Sequence, residues 1–294
     1  MRVAPVLPRT LAALALAVVP ALGTALPATA AAPAATDTVT YTPQERRAAL
    51  AHWTPARMKE VGGAVDLGPT GPLTKKWTGA PVKTVGRLFF VNQKGDDTYC
   101  TATAVKSGNR SVVMAAGHCA RLPASPDNTY TDLVFVPGYD KGARPYGVFP
   151  VRASVTPRSW AQDGENDIAA FTVDPVGGRT LTGTVGGRPV AFGRPAGGRI
   201  TAFGYPATRP QRGEELLYCA GPSKAAPHQE LSVPCDMSGG ASGGPWLADF
   251  DPRTGLGTLV SVNSHGDALD HSTAMYGPVL GATARQVHER AERA

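Results

Sequence analysis

Residues Ser232 to Leu247 read SVPCDMSGGASGGPWL, and within this stretch Ser242 lies between two pairs of glycines. Glycine loses more backbone freedom on folding than any other residue, so glycines are useful mainly where the chain turns tightly or where another molecule approaches the backbone. A site in which a hydroxyl attacks a carbonyl group needs both a tight turn and close approach of the substrate to the backbone. Because a serine hydroxyl is a weak nucleophile until a base takes its proton, this stretch predicts a histidine and an acid elsewhere in the chain.

Two other stretches supply such groups. Residues Val112 to Cys119 read VVMAAGHC, an apolar run that indicates a strand, stops at a glycine and continues with His118. Residues Asn166 to Phe171 read NDIAAF, with Asp167 directly before a second apolar run. The order of the three groups along the chain is therefore histidine, aspartate, serine.

Taken together, the three stretches resemble those of the trypsin/chymotrypsin-like serine peptidases, in particular the secreted bacterial branch that includes the glutamyl endopeptidases, over roughly residues 82 to 285. The resemblance implies that Ser242 is the nucleophile, with His118 as general base and acid and Asp167 as the group that orients the imidazole. It also implies an oxyanion hole formed by the backbone N–H groups of Gly240 and Ser242, catalysis through an acyl-enzyme, and protein or peptide substrates.

The composition favours a fold made of β-strands. The 294 residues include 34 Gly and 27 Pro, and no long apolar pattern with a helical period follows residue 82 until the C-terminus. Short apolar runs between turn residues indicate strands, for instance a hairpin of residues 85–91 and 99–105. Together with the resemblance, this predicts an all-β peptidase domain over residues 81–294. We expect two six-stranded antiparallel β-barrels with the active site between them and a C-terminal helix over residues 282–293.

The N-terminal part of the chain has a different character. Residues 1–30 combine two arginines, an apolar run that ends at Pro20, and a final Ala-Thr-Ala, which is the pattern of a secretory signal peptide. The apolar run is too short to cross a bilayer, so we expect a secreted, extracellular protein without stable membrane association. Residues 31–80 are interpreted as a propeptide and linker outside the β domain, with Thr42 capping a helix that begins at Pro43. The alternative is an arm that stays packed on the mature fold.

Four cysteines in an exported chain favour two disulfides. In the family a bridge closes the loop that ends beside the catalytic histidine, so the resemblance implies a bond between Cys100 and Cys119, which leaves Cys219 and Cys235 as the second pair. A zinc site is not expected, because no Cys-x-x-Cys spacing exists. We expect neither a metal nor a cofactor.

The net charge of +6 raises the question of a nucleic-acid partner. The arginines that follow residue 80 are scattered along the chain and form no basic stripe. The electrostatic footprint of nucleic-acid binding is therefore missing. We expect no nucleic-acid partner, and a monomer.

Two other functions need to be weighed. Residues 240–244 also match the nucleophile elbow of an α/β-hydrolase esterase, for which Asp267 and His271 could complete a triad. That elbow must lead into a helix, whereas Gly243, Gly244 and Pro245 follow the serine here. The second alternative is an inactive peptidase fold used for binding, and the presence of all three triad residues argues against it.

The resemblance also bears on specificity and activation. Asp236, six residues before the nucleophile, corresponds to the base of the primary specificity pocket, where trypsin-like members use an aspartate to bind Arg or Lys. The expected substrate-binding strand consists of Ser261, Val262, Asn263, Ser264 and His265. Of these, His265 could instead bind an acidic side chain, as a histidine does in glutamyl endopeptidases. Ala241 stands where trypsin has the aspartate that pairs with the freed N-terminal amine, so that ion pair cannot form.

Overall fold

A computed structural model of the chain describes residues 1, 3–4, 36–62, 67–123, 129–267 and 272–294. Apart from residues 1 and 3–4, the expected signal peptide lies outside the described residues, and so does His271. The chain divides into two units, Met1–Ala32 and Pro33–Ala294, and the following description concerns the second. No helix among the described residues is long and apolar enough to cross a membrane.

The N-terminal part of this unit contains two strands and two helices. They are β1 (Thr36–Thr40), α1 (Pro43–His52), α2 (Pro55–Val61) and β2 (Lys75–Lys76). Thr42 caps α1 as the sequence predicted: its hydroxyl accepts a hydrogen bond from the Glu45 N–H, and the Glu45 carboxylate accepts one from the Thr42 N–H. This reciprocal arrangement satisfies two amide donors at the start of the helix. Proline at both helix starts is tolerated because its missing N–H has no partner there in any case.

The described part of residues 31–80 packs on the β domain, and its interpretation as a propeptide stays a prediction. Strand β1 pairs antiparallel with the strand at residues 149–157, from Thr36 opposite Pro157 to Thr40 opposite Ala153. Trp53 is 2 % exposed, and it belongs to the same hydrophobic core as the first barrel. The physical reason is that burying a large aromatic side chain is strongly favourable.

Six antiparallel strands close into the first barrel. They are β3 (Val85–Val91), β4 (Asp97–Ala104), β5 (Val112–Ala115), β6 (Thr131–Pro137), β7 (Phe149–Pro157) and β8 (Ala169–Val173), with the short helix α3 (Arg158–Asp163) between the last two. Their order is β7-β6-β3-β4-β5-β8, and β8 pairs back to β7. Nearly continuous apolar runs such as VGRLFFV in β3 account for this core, because most of their side chains are buried. The predicted hairpin of β3 and β4 is confirmed.

The second β region consists of two hydrogen-bonded sheets. Its new elements are α4 (Leu181–Val185), β9 (Arg199–Gly204), β10 (Leu217–Pro222), β11 (Lys224–Ala226), β12 (Glu230–Pro234), β13 (Pro245–Asp251), β14 (Leu256–Val262), β15 (His265–Gly266) and β16 (Ala274–Pro278). One sheet has the order β14-β13-β9-β10-β2, and the other β11-β12-β16-β15. Four of these strands begin or end at a proline, which cannot donate to a ladder.

The chain ends in helix α5 (Ala282–Glu292), as predicted. Ala284, Val287 and Ala291 are buried on its inner side, which packs against β7 and β8 of the first barrel. A mostly β structure with a closed six-stranded barrel, a second sheet region and a C-terminal helix agrees with the predicted fold class.

Candidate active site

His118 lies on a short 3₁₀ turn, Gly117–Cys119, that follows β5. A Cβ atom at position 117 would lie 3.0 Å from the Asp167 carboxylate and from the Trp160 ring, so glycine avoids crowding at this position. Cys119 forms a disulfide with Cys100 of β4, with the Cα atoms 6.1 Å apart. The strand, the glycine and the disulfide together fix the backbone that carries His118.

Asp167 lies two residues before the start of β8, which pairs with β5, so its carboxylate lies against the His118 turn. Its Oδ2 atom is 2.8 Å from Nδ1 of His118, and its Oδ1 atom accepts a hydrogen bond from the His118 backbone N–H at 2.9 Å. The Ser264 hydroxyl donates to Oδ2 at 2.5 Å. Because an ionised carboxylate only accepts hydrogen bonds, Nδ1 of His118 carries the proton, which leaves Nε2 of the neutral ring as an acceptor.

These contacts shift the pKa values of Asp167 and His118 in the directions that suit general-base catalysis. Burial would raise the pKa of the Asp167 carboxyl, but the charge and hydrogen bonds of His118 and the hydrogen bond from Ser264 outweigh it and hold that pKa below its ordinary value. Burial would lower the pKa of His118, but the attraction and hydrogen bond of Asp167 outweigh it and raise that pKa. The pair combines a stable carboxylate with a more basic imidazole, which suits a general base.

Ser242 lies between β12 and β13, and a hydrogen bond to the first barrel fixes its backbone. The Ser242 carbonyl accepts a hydrogen bond from the Thr101 N–H at 2.8 Å. Gly243 has φ of +77°, and a side chain there would collide with the Thr101 carbonyl and with Ala115 at the end of β5. Within the described residues no hydrogen bond joins the Ser242 hydroxyl to His118; such bonds are often long before substrate binds.

The two expected oxyanion donors are unpaired. Gly240 has φ of +92°, and a side chain there would collide with Tyr99 and with the Tyr205 carbonyl, so the turn requires glycine. Across the part of the chain that the structure describes, neither the Gly240 N–H nor the Ser242 N–H donates to a protein acceptor. Both are therefore available to a ligand oxygen.

The expected substrate-binding strand stays a prediction, and the side chains of Ser261, Val262 and Asn263 within it are 0 % exposed. The Ser261 hydroxyl donates to the Pro278 carbonyl at 2.8 Å.

The last two residues of that stretch remain near the site. The hydroxyl of Ser264 is bound to Asp167, as described above. His265 is exposed; its ring stacks on Tyr276 at 5.0 Å, and Nε2 lies 3.0 Å from the Glu230 carboxylate. The ring is thus already engaged with an acid of the same chain.

Asp236 is engaged by the N-terminal segment. Its carboxylate accepts hydrogen bonds from the Leu73 N–H at 2.8 Å and the Thr74 hydroxyl at 2.5 Å. No Lys or Arg among the described residues forms a salt bridge with it. The second disulfide, between Cys219 and Cys235, fixes the chain directly before Asp236.

A cleft of about 570 Å³ adjoins the His118–Asp167 pair. Its walls include Trp160 from α3 and three further carboxylates, those of Asp163, Glu165 and Glu230. A cleft of this size fits a few peptide side chains.

The described residues contain one grouping of possible metal ligands, which consists of Cys100, His118 and Cys119. Both cysteines are in a disulfide, and metals bind the thiolate form of cysteine. The grouping therefore does not fit a metal ion.

Sequence reasoning missed two contributors. Thr101 holds the Ser242 carbonyl, and its hydroxyl donates to the Gly240 carbonyl at 2.8 Å. Ser264 was expected to bind substrate, yet it donates to Asp167. No local signal distinguishes either residue, because each binds a group that is distant in the chain. Thr101 and Gly240 are 139 positions apart, and Ser264 and Asp167 are 97 positions apart.

Solved structures resemble this chain over most of its length. The protease Anisep from Arthrobacter nicotinovorans is 34 % identical with a TM-score of 0.68, and the match covers 75 % of this chain and 100 % of Anisep. The thermostable serine protease AL20 from an extremophilic microorganism is 35 % identical with a TM-score of 0.66, covering 72 % of this chain and 98 % of AL20. A Glu endopeptidase solved in complex with MPD is 19 % identical with a TM-score of 0.61, covering 78 % and 100 %, and supports the fold alone.

Comparisons with protein-family models and with curated proteins gave no match. The two serine proteases nevertheless match this chain over nearly all of their own length at 34 % and 35 % identity. The barrel, the second sheet region and the C-terminal helix agree with that relationship. The chain therefore belongs to the trypsin/chymotrypsin-like serine peptidases, which are hydrolases of peptide bonds.

Proposed function

We propose that this protein is a secreted serine endopeptidase that works through an acyl-enzyme, with Ser242, His118 and Asp167 as its triad. The observation that carries the proposal is that the Asp167 carboxylate accepts hydrogen bonds from both the ring and the backbone N–H of His118. It fixes both the tautomer and the direction of the imidazole, which a general base for a serine requires.

In the proposed reaction, Nε2 of His118 takes the proton of the Ser242 hydroxyl while Oγ attacks the substrate carbonyl. The negative charge that develops on the carbonyl oxygen is stabilised by the unpaired N–H groups of Gly240 and Ser242. His118 then gives the proton to the leaving amine, and water hydrolyses the acyl-enzyme by the same route. Asp167 stabilises the imidazolium in both steps and does not accept the proton.

We further propose a preference for cleavage after basic residues, selected by Asp236. Its two hydrogen bonds come from neutral donors, and because a carboxylate has about four acceptor sites, it keeps the capacity to accept hydrogen bonds from a cationic side chain. The acids that line the cleft beside His118 favour basic substrates as well. The alternative, recognition of an acidic side chain by His265, has less support, because that ring already lies against Glu230.

Secretion and processing complete the proposal. The signal-like residues 1–30 and the two disulfides are typical of exported proteins. We propose that the mature N-terminus lies between about residues 60 and 82. The Lys75–Lys76 pair is part of β2 and pairs with β10, so a cut there requires that short ladder to open. N-terminal sequencing of the secreted protein tests this, and active protein that still begins near Ala31 would contradict it.

Labelling with diisopropyl fluorophosphate tests the central claim. We expect one phosphoryl group per chain, located on Ser242 by peptide mapping, and digestion of casein by the unlabelled enzyme only. An inactive binding protein would not be labelled. An esterase would be labelled but would leave casein intact.

A further inference from the structure

Asn263 is a buried polar side chain, 0 % exposed, that follows β14. Its Oδ1 atom accepts a hydrogen bond from the indole N–H of Trp246 at 2.7 Å. Its Nδ2 atom donates to the Phe203 carbonyl at 2.9 Å and to the Ala241 carbonyl at 2.8 Å. A fully buried carboxamide that satisfies all these groups has a single fixed orientation, since any rotation would leave buried polar groups unpaired.

The backbone of Asn263 binds the same loop from the other side of the nucleophile. Its N–H donates to the Gly244 carbonyl at 2.8 Å, and its carbonyl accepts from the Gly243 N–H at 2.7 Å. Asn263 thus holds the residue before Ser242 through its side chain and the two residues after Ser242 through its backbone.

The contact with Ala241 determines the direction of an oxyanion donor. In a trans peptide the C=O and N–H bonds lie in one plane and point in opposite directions, and the peptide between Ala241 and Ser242 is trans. Nδ2 of Asn263 and the Gly244 N–H both bind the Ala241 carbonyl. The Ser242 N–H must therefore point away from Asn263.

The second donor is fixed in the same way. The Gly239 carbonyl accepts a hydrogen bond from the Ala207 N–H at 2.8 Å, which directs the Gly240 N–H to the opposite side. The Thr101 hydroxyl holds the next carbonyl, that of Gly240. Both peptides that carry an unpaired N–H are thus anchored by their carbonyl oxygens.

We propose that Asn263 is a positioning residue for the oxyanion hole, which it keeps formed without any contribution from a freed N-terminus. Ala241 carries no carboxylate that could pair with such an amine, and the hydrogen bonds of Asn263 supply a fixed orientation in its place. Donors that are already oriented need no reorganisation during the reaction, which is what makes them effective. The inference rests on the proposed role of Ser242.

The test uses the secreted protein and p-nitrophenyl acetate, with the acylation rate constant and the dissociation constant separated by burst kinetics. We expect Asn263→Ala to lower the acylation rate on the order of 10²-fold, as loss of one oxyanion donor does, with little change in the dissociation constant. Thr172→Ala is the matched control, because Thr172 is equally buried and donates to a backbone carbonyl, that of Ala291, at 2.7 Å. We expect its rate within about threefold of wild type, since it touches no reacting group.

An Asn263→Ala acylation rate within about threefold of wild type would overturn the inference. If that variant does not fold, Trp246→Phe removes the donor to Oδ1 of Asn263 while leaving Asn263 in place, and we expect a fall of about tenfold, with an unchanged rate again counting against the inference. Ser242→Ala separates the two claims. A burst that persists in Ser242→Ala refutes the proposed nucleophile, whereas its loss together with a normal Asn263→Ala burst refutes only the role of Asn263.

Discussion

The carboxylate of Asp167 binds His118 twice, at the ring Nδ1 at 2.8 Å and at the backbone N–H at 2.9 Å. The double contact restricts rotation of the imidazole about its side-chain bonds, and it fixes the ring relative to strand β8. Since the same carboxylate also accepts the Ser264 hydroxyl, the orientation of the proposed base depends on two chain segments at once.

Removal of any member of the triad should remove most of the activity. We expect Ser242→Ala, His118→Ala and Asp167→Asn each to lower kcat by roughly 10⁴-fold or more, and combined variants to lose little beyond that, because the three groups act as a unit. Casein digestion measures the loss, and circular dichroism should report an unchanged fold. Near-normal activity of Asp167→Asn would require another orienting acid, with Asp163 as the nearest candidate in the chain.

The pH dependence should reflect the raised pKa of His118. Neutral imidazole is required, so kcat/KM should fall as the pH decreases through a value above about 6.5, the ordinary histidine pKa. In Asp167→Asn the attraction is lost while burial remains, so the pKa of His118 and the acid limb of the residual activity should both move to lower pH. NMR titration of the His118 ring in both proteins checks the assignment. If the acid limb does not move, its assignment to His118 is wrong.

The disulfide beside His118 should support both stability and rate. Replacing Cys100 and Cys119 by alanine opens a link between residues 19 positions apart, which should lower the free energy of unfolding by about 3 kcal/mol. It should also lower kcat, because the turn that carries His118 loses its tether. The matched control is Cys219→Ala with Cys235→Ala, whose link spans 16 positions. We expect a similar loss of stability with the His118 tether intact, and equal kcat losses in both variants would contradict the proposed tether.

Specificity should depend on Asp236. Chromogenic peptides that end in Arg should be cleaved faster than matched peptides ending in Phe or Glu, because a carboxylate without a cationic partner favours a basic side chain. Asp236→Ser should remove the preference. A Glu preference that is lost in His265→Ala would instead identify His265 as the specificity residue.

The N-terminal helices should stabilise the barrel. Trp53 packs on Phe89 of β3 with ring centroids 5.1 Å apart, and its indole N–H donates to the Asp132 carbonyl. Trp53→Ala in the full chain should lower the free energy of unfolding by about 3–5 kcal/mol. Leu50, in α1 three residues before Trp53, is 43 % exposed, so Leu50→Ala should change the free energy of unfolding by less than about 0.5 kcal/mol. Equal urea midpoints for the two variants would show that the helices contribute nothing to the barrel.

Much of the fold was predictable because its signals are local. The Thr42-Pro43 start of α1, the apolar face of α5 and the hairpin of β3 and β4 each depend on neighbouring residues and on short hydrogen bonds within one segment. The family was predictable from three short motifs in a fixed order. The packing of residues 36–62 on the first barrel was not, because a mixed helical segment with one tryptophan gives no indication of the surface that will bury it.

The sequence alone determined which reactive side chains the chain carries: a serine among glycines, a histidine beside a cysteine and an aspartate before an apolar strand. Tertiary structure decided how each group is held. Thr74 reaches Asp236 across 162 positions, Ser264 reaches Asp167 across 97, and Asn263 reaches Ala241 across 22. These hydrogen bonds depend on the close approach of segments that only the folded sheets bring together, and a buried polar group takes whichever partner the packing places within reach.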